Sequence, residues 1–220
     1  ISPSLIVLLL SLFGVCSSVK ETFHREEILA MAENRGAIKR PSNEHAAVDI
    51  PVKKKNGEPR IVKVLMLGLN GAGKTTILSH LTESSYPPGP TIGFNVDYIT
   101  RRDVKLDIWD LGGDCQQRPM WKGYFPGTDA VIFVADWADW KRFKDVESEL
   151  QQLLDAPELK DAIFLNFANK MDIAEAPEDE EYRPIEVERK DQPWHIEPCI
   201  ATTGKGIYEG IDWIIDSLKT

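Results

Sequence analysis

Short apolar runs alternate with stretches of helical spacing from residue 61 to the end of the chain. Two runs at 96–99 and 104–109 alternate apolar and polar residues, which predicts antiparallel strands joined by a turn. The other predicted strands lie at residues 61–67, 130–135, 162–168 and 195–200. Helical spacing places the predicted helices at residues 76–81, 144–154 and 207–218.

This order of elements predicts the fold class. Strands that alternate with helices form parallel sheets, because each crossover helix covers one face of the sheet. We therefore predict an α/β fold with a doubly wound, mostly parallel six-stranded sheet. One edge strand is expected to be antiparallel, and helices are expected on both faces.

The N-terminal part has a different composition. Residues 5–15 are the most apolar segment, shorter than the ~20 residues of a spanning helix, and they match the hydrophobic region of a signal peptide. A signal anchor is the competing interpretation, and we favour it because Lys20 and Arg25 follow the run. A third interpretation is that the mature protein lacks this segment. The predicted parts are an apolar segment, a linker with a helix candidate and a folded domain, at residues 1–19, 20–60 and 61–220.

The net charge and the cysteine content exclude several classes of function and site. The formal net charge is −9, which argues against a protein that coats nucleic acid. Cys16, Cys115 and Cys199 show neither paired nor C-x-x-C spacing. Neither a disulfide framework nor a zinc site is therefore predicted, and a reducing compartment is favoured for the folded part.

The stretch from Gly68 to Thr75 fits the phosphate-binding pattern G-x-x-x-x-G-K-[ST] between a predicted strand and a predicted helix. Such glycines let backbone N–H groups curl around a polyphosphate at the helix N-terminus. Lys74 is expected to reach the β- and γ-phosphates, and the Thr75 hydroxyl to bind Mg²⁺. The predicted phosphate-binding residues are Asn70, Gly71, Ala72, Gly73, Lys74, Thr75 and Thr76. The motif predicts the P-loop NTPase fold and a nucleoside di- or triphosphate ligand.

Two further motifs follow the phosphate loop. Thr91 lies in a loop after the first helix, where switch GTPases sense the γ-phosphate through Mg²⁺. Asp110 ends a predicted strand and precedes two glycines, a position suited to a direct or water-mediated Mg²⁺ contact. The predicted metal ligands are therefore Thr75, Thr91 and Asp110. The backbone N–H of Gly113 is predicted to sense the γ-phosphate.

The stretch from Asn169 to Asp172 reads N-K-x-D at the end of a predicted strand. The Asp172 carboxylate can accept hydrogen bonds from guanine N1–H and N2–H, a donor pair that adenine lacks. This pattern argues against an ATPase and predicts GTP and GDP as ligands. The residues expected to contact the base are Asn169, Lys170, Asp172, Ala201 and Thr202.

With these residues in place, positions 61–220 resemble the ADP-ribosylation-factor and Arf-like small GTPases. The stretches that carry the resemblance are GLNGAGKTT (68–76), PTIGFNVD (90–97), WDLGGxxxxRPMWKGYF (109–125) and GIYEGIDWI (206–214). In that family the hairpin matching 94–110 slides on GTP binding. Phe94, Trp109 and Tyr124 match the family's exposed aromatic triad, which contacts effectors; ordinary core packing is the alternative.

The resemblance also implies partners and a location. It implies effector proteins, an exchange factor, a GTPase-activating protein and a role in vesicle trafficking. It further implies a monomer at the cytoplasmic face of an internal membrane, in preference to the secretory lumen.

Three departures from the family pattern bear on function. Asp114 stands where the family has the glutamine that positions the attacking water, so hydrolysis through Lys74, Gly113 and Asp114 is expected to be slow. A loop shift that brings in Gln116 or Gln117 is an alternative, and a GTP-binding scaffold with negligible hydrolysis is another. The chain also lacks a Met-Gly start, and residues 173–192 read as an irregular acidic loop rather than a helix.

Overall fold

The computed structural model describes residues 59–174 and 193–218. Its strands are β1 (Arg60–Leu67), β2 (Phe94–Arg101), β3 (Val104–Leu111), β4 (Ala130–Asp136), β5 (Ile163–Asn169) and β6 (Trp194–Pro198). Its α-helices are α1 (Lys74–Thr82), α2 (Phe143–Leu154) and α3 (Ile207–Ser217). Short 3-10 helices occupy Arg118–Tyr124, Trp140–Arg142 and Pro157–Leu159.

The six strands form one sheet in the order β2-β3-β1-β4-β5-β6. All neighbours pair in parallel except β2 and β3, which form an antiparallel hairpin at the sheet edge. The predicted fold class is therefore confirmed. Because the parallel strands end at the same edge of the sheet, the loops that follow them meet there.

Both faces of the sheet are buried. On one face, strand residues such as Val64 and Leu165 belong to a single apolar cluster with Ile77 of α1 and Ile211 of α3. Several residues at the alternate strand positions, which point to the opposite face, are also fully buried. They include Leu65, Phe133 and Phe164. Helix α2 has a buried stripe of its own that is suited to covering this second face.

The hairpin of β2 and β3 is longer than the alternation of apolar and polar residues predicts. Phe94 pairs with Leu111 at its open end, and Arg101 pairs with Val104 at its turn. Its turn lies against α3: the Arg101 guanidinium donates to both carboxylate oxygens of Asp212, at 2.7 and 2.5 Å. Strand β6, in contrast, ends at Pro198, two residues before the predicted end. The chain turns there, and Ile200 N–H donates to the carbonyl of Lys205.

Several predictions fall outside the described residues. These are the apolar segment at 1–19, the linker up to residue 58 and positions 175–192 of the acidic loop. The three-part division of the chain accordingly stays a prediction. Within 59–174 and 193–218, no helix has the length and apolar character needed to cross a membrane.

Candidate functional site

The loop between β1 and α1 has the geometry of a phosphate-binding turn. Gly68, Gly71 and Gly73 all have positive φ angles, and Gly73 caps α1 in the left-handed conformation at φ 97°. A Cβ atom at Gly68 would lie 2.2 Å from the Val134 carbonyl oxygen, so only glycine fits there. The turn therefore presents the N-terminus of α1 to the carboxyl edge of the sheet, where unpaired N–H groups favour an anion.

Lys74 is buried, with 6 % of its surface exposed. Its ammonium group donates to the carbonyl oxygens of Gly68 at 2.9 Å and Leu69 at 3.0 Å. Burial lowers the pKa of Lys74 from 10.5 to about 8, although the nearby Asp110 opposes this shift. An anionic partner stabilises the charged form of a buried lysine that contacts only neutral carbonyls, and a phosphate group is such a partner.

The three predicted metal ligands lie together beside this lysine. The Thr75 hydroxyl donates to Asp110 Oδ2 at 2.6 Å and lies 2.9 Å from the Thr91 hydroxyl. Asn95 Nδ2 also donates to Asp110 Oδ2, at 3.1 Å. Burial raises the pKa of Asp110, against the opposing effects of these hydrogen bonds and of Lys74.

This cluster fits Mg²⁺ on two grounds. Octahedral Mg²⁺ has oxygen ligands at about 2.0–2.1 Å, so adjacent ligands lie about 2.9 Å apart. The Thr75 and Thr91 hydroxyl oxygens are 2.9 Å apart. Asp110 Oδ1 is buried and, among the residues that the structure describes, meets no hydrogen-bond donor. A buried carboxylate oxygen without a donor is suited to a cation or to a water molecule bound by one.

Gly113 lies against the phosphate loop. Its carbonyl accepts a hydrogen bond from Asn70 N–H at 3.1 Å. A Cβ atom at Gly113 would lie 2.2 Å from the Gly68 carbonyl oxygen, so this approach requires glycine. The strand-end segment is thereby fixed next to the position expected for the phosphates.

Asp114 lines a cleft together with Gly113 and the phosphate loop. Its carboxylate, however, is engaged in local hydrogen bonds. Its Oδ1 accepts a hydrogen bond from Gln116 N–H at 3.0 Å, and its carbonyl accepts one from Gln117 N–H at 2.9 Å. The Gln117 side chain, for its part, bonds to the backbone of Thr91 and Gly93. The prediction that Gln116 or Gln117 replaces the water-positioning glutamine therefore gains no support from this arrangement.

The predicted guanine-binding residues lie at the end of β5 and in the loops after β5 and β6. Asn169 is buried: its Nδ2 donates to the Ala72 carbonyl at 2.8 Å, and its Oδ1 accepts from Ala201 N–H at 2.9 Å. Lys170 pairs with Asp136 at 2.6 Å. Asp172 and Thr202 are exposed. Asn169 therefore joins the phosphate loop to both base-binding loops, whereas Asp172 is accessible to a base.

Most of the residues predicted to bind phosphate and metal line one cleft. Its lining residues are Asn70, Gly71, Gly73, Lys74, Thr75, Thr76, Gly89, Pro90, Thr91, Gly113 and Asp114. Ala72 and Asp110 are not part of the lining, because both side chains are buried behind it. Gly89 and Pro90 were not among the predicted site residues, although the loop of prolines before Thr91 pointed to their position.

The aromatic triad departs from expectation. The ring centroids of Phe94, Trp109 and Tyr124 are 5.6, 5.8 and 6.0 Å apart, so the three side chains do form one cluster. Trp109, however, is only 2 % exposed. The prediction of an exposed triad is thus wrong for Trp109, because the rings of Phe94 and Tyr124 pack against its side chain. Phe94 and Tyr124 are half-buried and cover it.

Sequence reasoning missed one residue at the phosphate loop. Arg142, in a 3-10 helix before α2, donates from Nη1 to both the carbonyl and the side-chain oxygen of Asn70, at 3.1 and 3.0 Å. Its Nε bonds to Asp139 at 2.7 Å. No local pattern indicates a contact across 72 positions of sequence. The short spacing between Asp139 and Arg142 indicated at most an ion pair.

Known proteins are similar to this chain in sequence and in fold. The model of the ADP-ribosylation factor family matches residues 50–218. ADP-ribosylation factor J from Dictyostelium discoideum is 42 % identical over 160 residues, which cover 71 % of this chain and 85 % of that protein. The solved structure of the Arl6 BBS3 small GTPase from Trypanosoma brucei, with the bound nucleotide analogue GppNp, is 30 % identical. It matches with a TM-score of 0.62 over 72 % of this chain and 98 % of that one. With its phosphate loop, hydroxyl–carboxylate cluster and N-K-x-D loop at one edge of the sheet, this chain belongs to the ADP-ribosylation factor family of small GTPases.

Proposed function

We propose that this protein binds GTP and GDP with Mg²⁺ and switches effector binding between the two nucleotide states. The observation that carries the proposal is the contact of Thr75 with both Thr91 and Asp110 beside the phosphate loop. Many proteins have a phosphate loop. A threonine from a second, separate loop at the metal position adds a contact that depends on the γ-phosphate.

Different residues are proposed to bind the phosphates and the Mg²⁺ ion. Lys74 and the N–H groups from Asn70 to Thr76 hold the phosphates, and the Gly113 N–H senses the γ-phosphate. The hydroxyl groups of Thr75 and Thr91 would be ligands of Mg²⁺. The Asp110 carboxylate would bind the ion directly or accept a hydrogen bond from a water molecule bound to it. Bound Mg²⁺ neutralises negative charge on the β- and γ-phosphate oxygens.

Base selection is assigned to the N-K-x-D loop. The exposed Asp172 carboxylate accepts from guanine N1–H and N2–H, while the buried Asn169 positions the loops around the base. Lys170, held by Asp136, is proposed to contact the base. Ala201 and Thr202 complete the loop on the other side of Asn169.

We further propose slow intrinsic GTP hydrolysis. Asp114 lines the cleft that would hold the γ-phosphate, and its carboxylate is acceptor-only when ionised. It lacks the amide donor that orients water, so an activating protein that supplies an arginine would be needed for fast turnover. Family membership does not favour a scaffold without hydrolysis.

Partners and location follow from the family. We propose effector contact through the cluster of Phe94, Trp109 and Tyr124, with the half-buried Phe94 and Tyr124 as the accessible members. Exchange and activating proteins are expected partners. The protein is proposed to act as a monomer at the cytoplasmic face of an internal membrane.

Competition binding tests the proposed ligand. A fluorescent GDP derivative is bound to the full 220-residue chain in Mg²⁺ and displaced with GTP, GDP or ATP. GTP and GDP should displace it at similar concentrations, and ATP should be roughly 10⁴-fold weaker, since adenine leaves Asp172 without donors. The Asp172→Ala variant should lose this discrimination. Equal displacement by ATP and GTP would contradict the proposal.

Hydrolysis needs a separate test. Single-turnover hydrolysis of preloaded GTP is compared between the native chain and Asp114→Gln. The variant should be faster by about 10²–10³-fold, the usual effect of one oriented hydrogen-bonding group. Equal rates would show that Asp114 does not limit turnover.

A further inference from the structure

The side chain of Gln117 joins the segment after β3 to the loop that carries Thr91. Its Oε1 accepts a hydrogen bond from Gly93 N–H at 2.7 Å, and its Nε2 donates to the Thr91 carbonyl at 3.1 Å. One bond needs an acceptor and the other a donor, so a primary amide fits both. A carboxylate or an alkyl side chain of similar size does not.

We propose that Gln117 is a positioning residue that holds Thr91 in the conformation that contacts Mg²⁺ and the γ-phosphate. This inference rests on the proposed function. Gln117 fixes the backbone of Thr91, and the hydroxyl of the same residue lies 2.9 Å from the Thr75 hydroxyl. Gln117 therefore acts on the metal site through Thr91 and does not itself face the phosphates.

Polar contacts dominate the attachment of this loop. Ile92, between the two residues that Gln117 contacts, is 87 % exposed, so it adds little apolar packing. The carbonyl of Gly93 accepts one further hydrogen bond, from Gly112 N–H at 2.9 Å. Together with this bond and the contact between the Thr91 and Thr75 hydroxyls, the two bonds from Gln117 attach the loop.

The backbone leaves room for this contact at Gly112. A Cβ atom on Gly112 would lie 2.2 Å from Gln117 Oε1 and 2.7 Å from the Thr91 carbonyl oxygen. Any larger residue at this position would separate the two loops. Gly112 thus serves the attachment of the Thr91 loop, whereas its neighbour Gly113 approaches the phosphate loop.

This role predicts a selective effect on nucleotide affinity. Thr91 is needed for a ligand with a γ-phosphate, whereas GDP lacks that group. Loss of the Gln117 amide should therefore weaken GTP binding and leave GDP binding unchanged. A residue that only supports the fold would weaken both equally.

The test measures dissociation constants of GDP and GTPγS for the full chain in Mg²⁺. Gln117→Ala should lower the preference for GTPγS over GDP by about five- to 150-fold, the effect of two hydrogen bonds at their usual net strength. Gln117→Glu should also lower it, because it keeps the acceptor and loses the donor. The control is Gln116→Ala, an exposed neighbour that should leave the preference unchanged.

Two results overturn the inference. If Gln117→Ala leaves the GTPγS-to-GDP preference within twofold of the native value, Thr91 does not depend on Gln117. If both affinities fall together with the melting temperature, Gln117 is only structural. Failure of the native chain to bind either nucleotide would instead refute the proposed function, and this inference with it.

Discussion

Asn169 is the residue for which the structure makes the sharpest prediction about stability. The sequence assigns it to guanine recognition, yet its side chain is 1 % exposed. It donates to the Ala72 carbonyl and accepts from Ala201 N–H, at 2.8 and 2.9 Å. We predict that Asn169→Ala destabilises the nucleotide-free protein, before any ligand is considered.

The magnitude follows from the two groups that lose their partner. Ala72 and Ala201 are themselves buried, at 1 % and 5 % exposure. Each buried backbone group left without a partner costs about 1–3 kcal/mol. The free energy of unfolding should therefore fall by roughly 2–6 kcal/mol, a large part of the total stability of about 5–15 kcal/mol of a typical domain.

Urea unfolding of the nucleotide-free full chain measures this change. The matched control is Asp172→Ala, three positions later in the same motif but exposed, which should alter stability by less than about 0.5 kcal/mol. Asn169→Asp should be destabilising as well, because a carboxylate cannot donate to the Ala72 carbonyl and places a charge in a buried position. Equal stability of Asn169→Ala and the native protein would refute the reasoning.

Three further predictions concern charge. Burial lowers the pKa of Lys74 to about 8, and a bound phosphate favours the charged form of the lysine. Nucleotide affinity should therefore be constant below this pH and fall above it, by up to about tenfold per pH unit. Fluorescence titration measures this affinity. Burial also raises the pKa of Asp110, so its charged form destabilises the Mg²⁺-free fold at neutral pH. Asp110→Asn should raise the melting temperature of the nucleotide-free protein and abolish the effect of Mg²⁺ on nucleotide affinity. A double-mutant cycle on the partly exposed Arg101–Asp212 pair should give a coupling of about 0.5–1 kcal/mol in urea unfolding; zero coupling would mean that the hairpin turn is not held to α3 by this pair.

Local patterns predicted the fold and named most of the residues that line the candidate phosphate site. A glycine loop between a buried strand and a helix is contiguous in sequence, so its residues are adjacent wherever the fold places them. The same holds for Asp110 and Gly113 at the end of β3. That Thr75, Thr91 and Asp110 meet could also be predicted, because motif order and parallel strands bring their loops to one edge of the sheet.

Contacts between distant side chains could not be predicted in this way. The bonds of Gln117 to Thr91 and of Arg142 to Asn70 span 26 and 72 positions. They depend on loop conformations that no periodicity encodes. The burial of Trp109 depends likewise on the packing of Phe94 and Tyr124 against its ring, which is a property of the assembled fold.

Hydrogen exchange of the full chain, loaded in Mg²⁺ with GDP or with GTPγS, tests the proposed switch most directly. We predict slower amide exchange in GTPγS around Thr91 and from Gly112 to Gln117, with no change in the buried part of α3. Equal exchange of these two loops in both nucleotide states would contradict the claim that they sense the γ-phosphate.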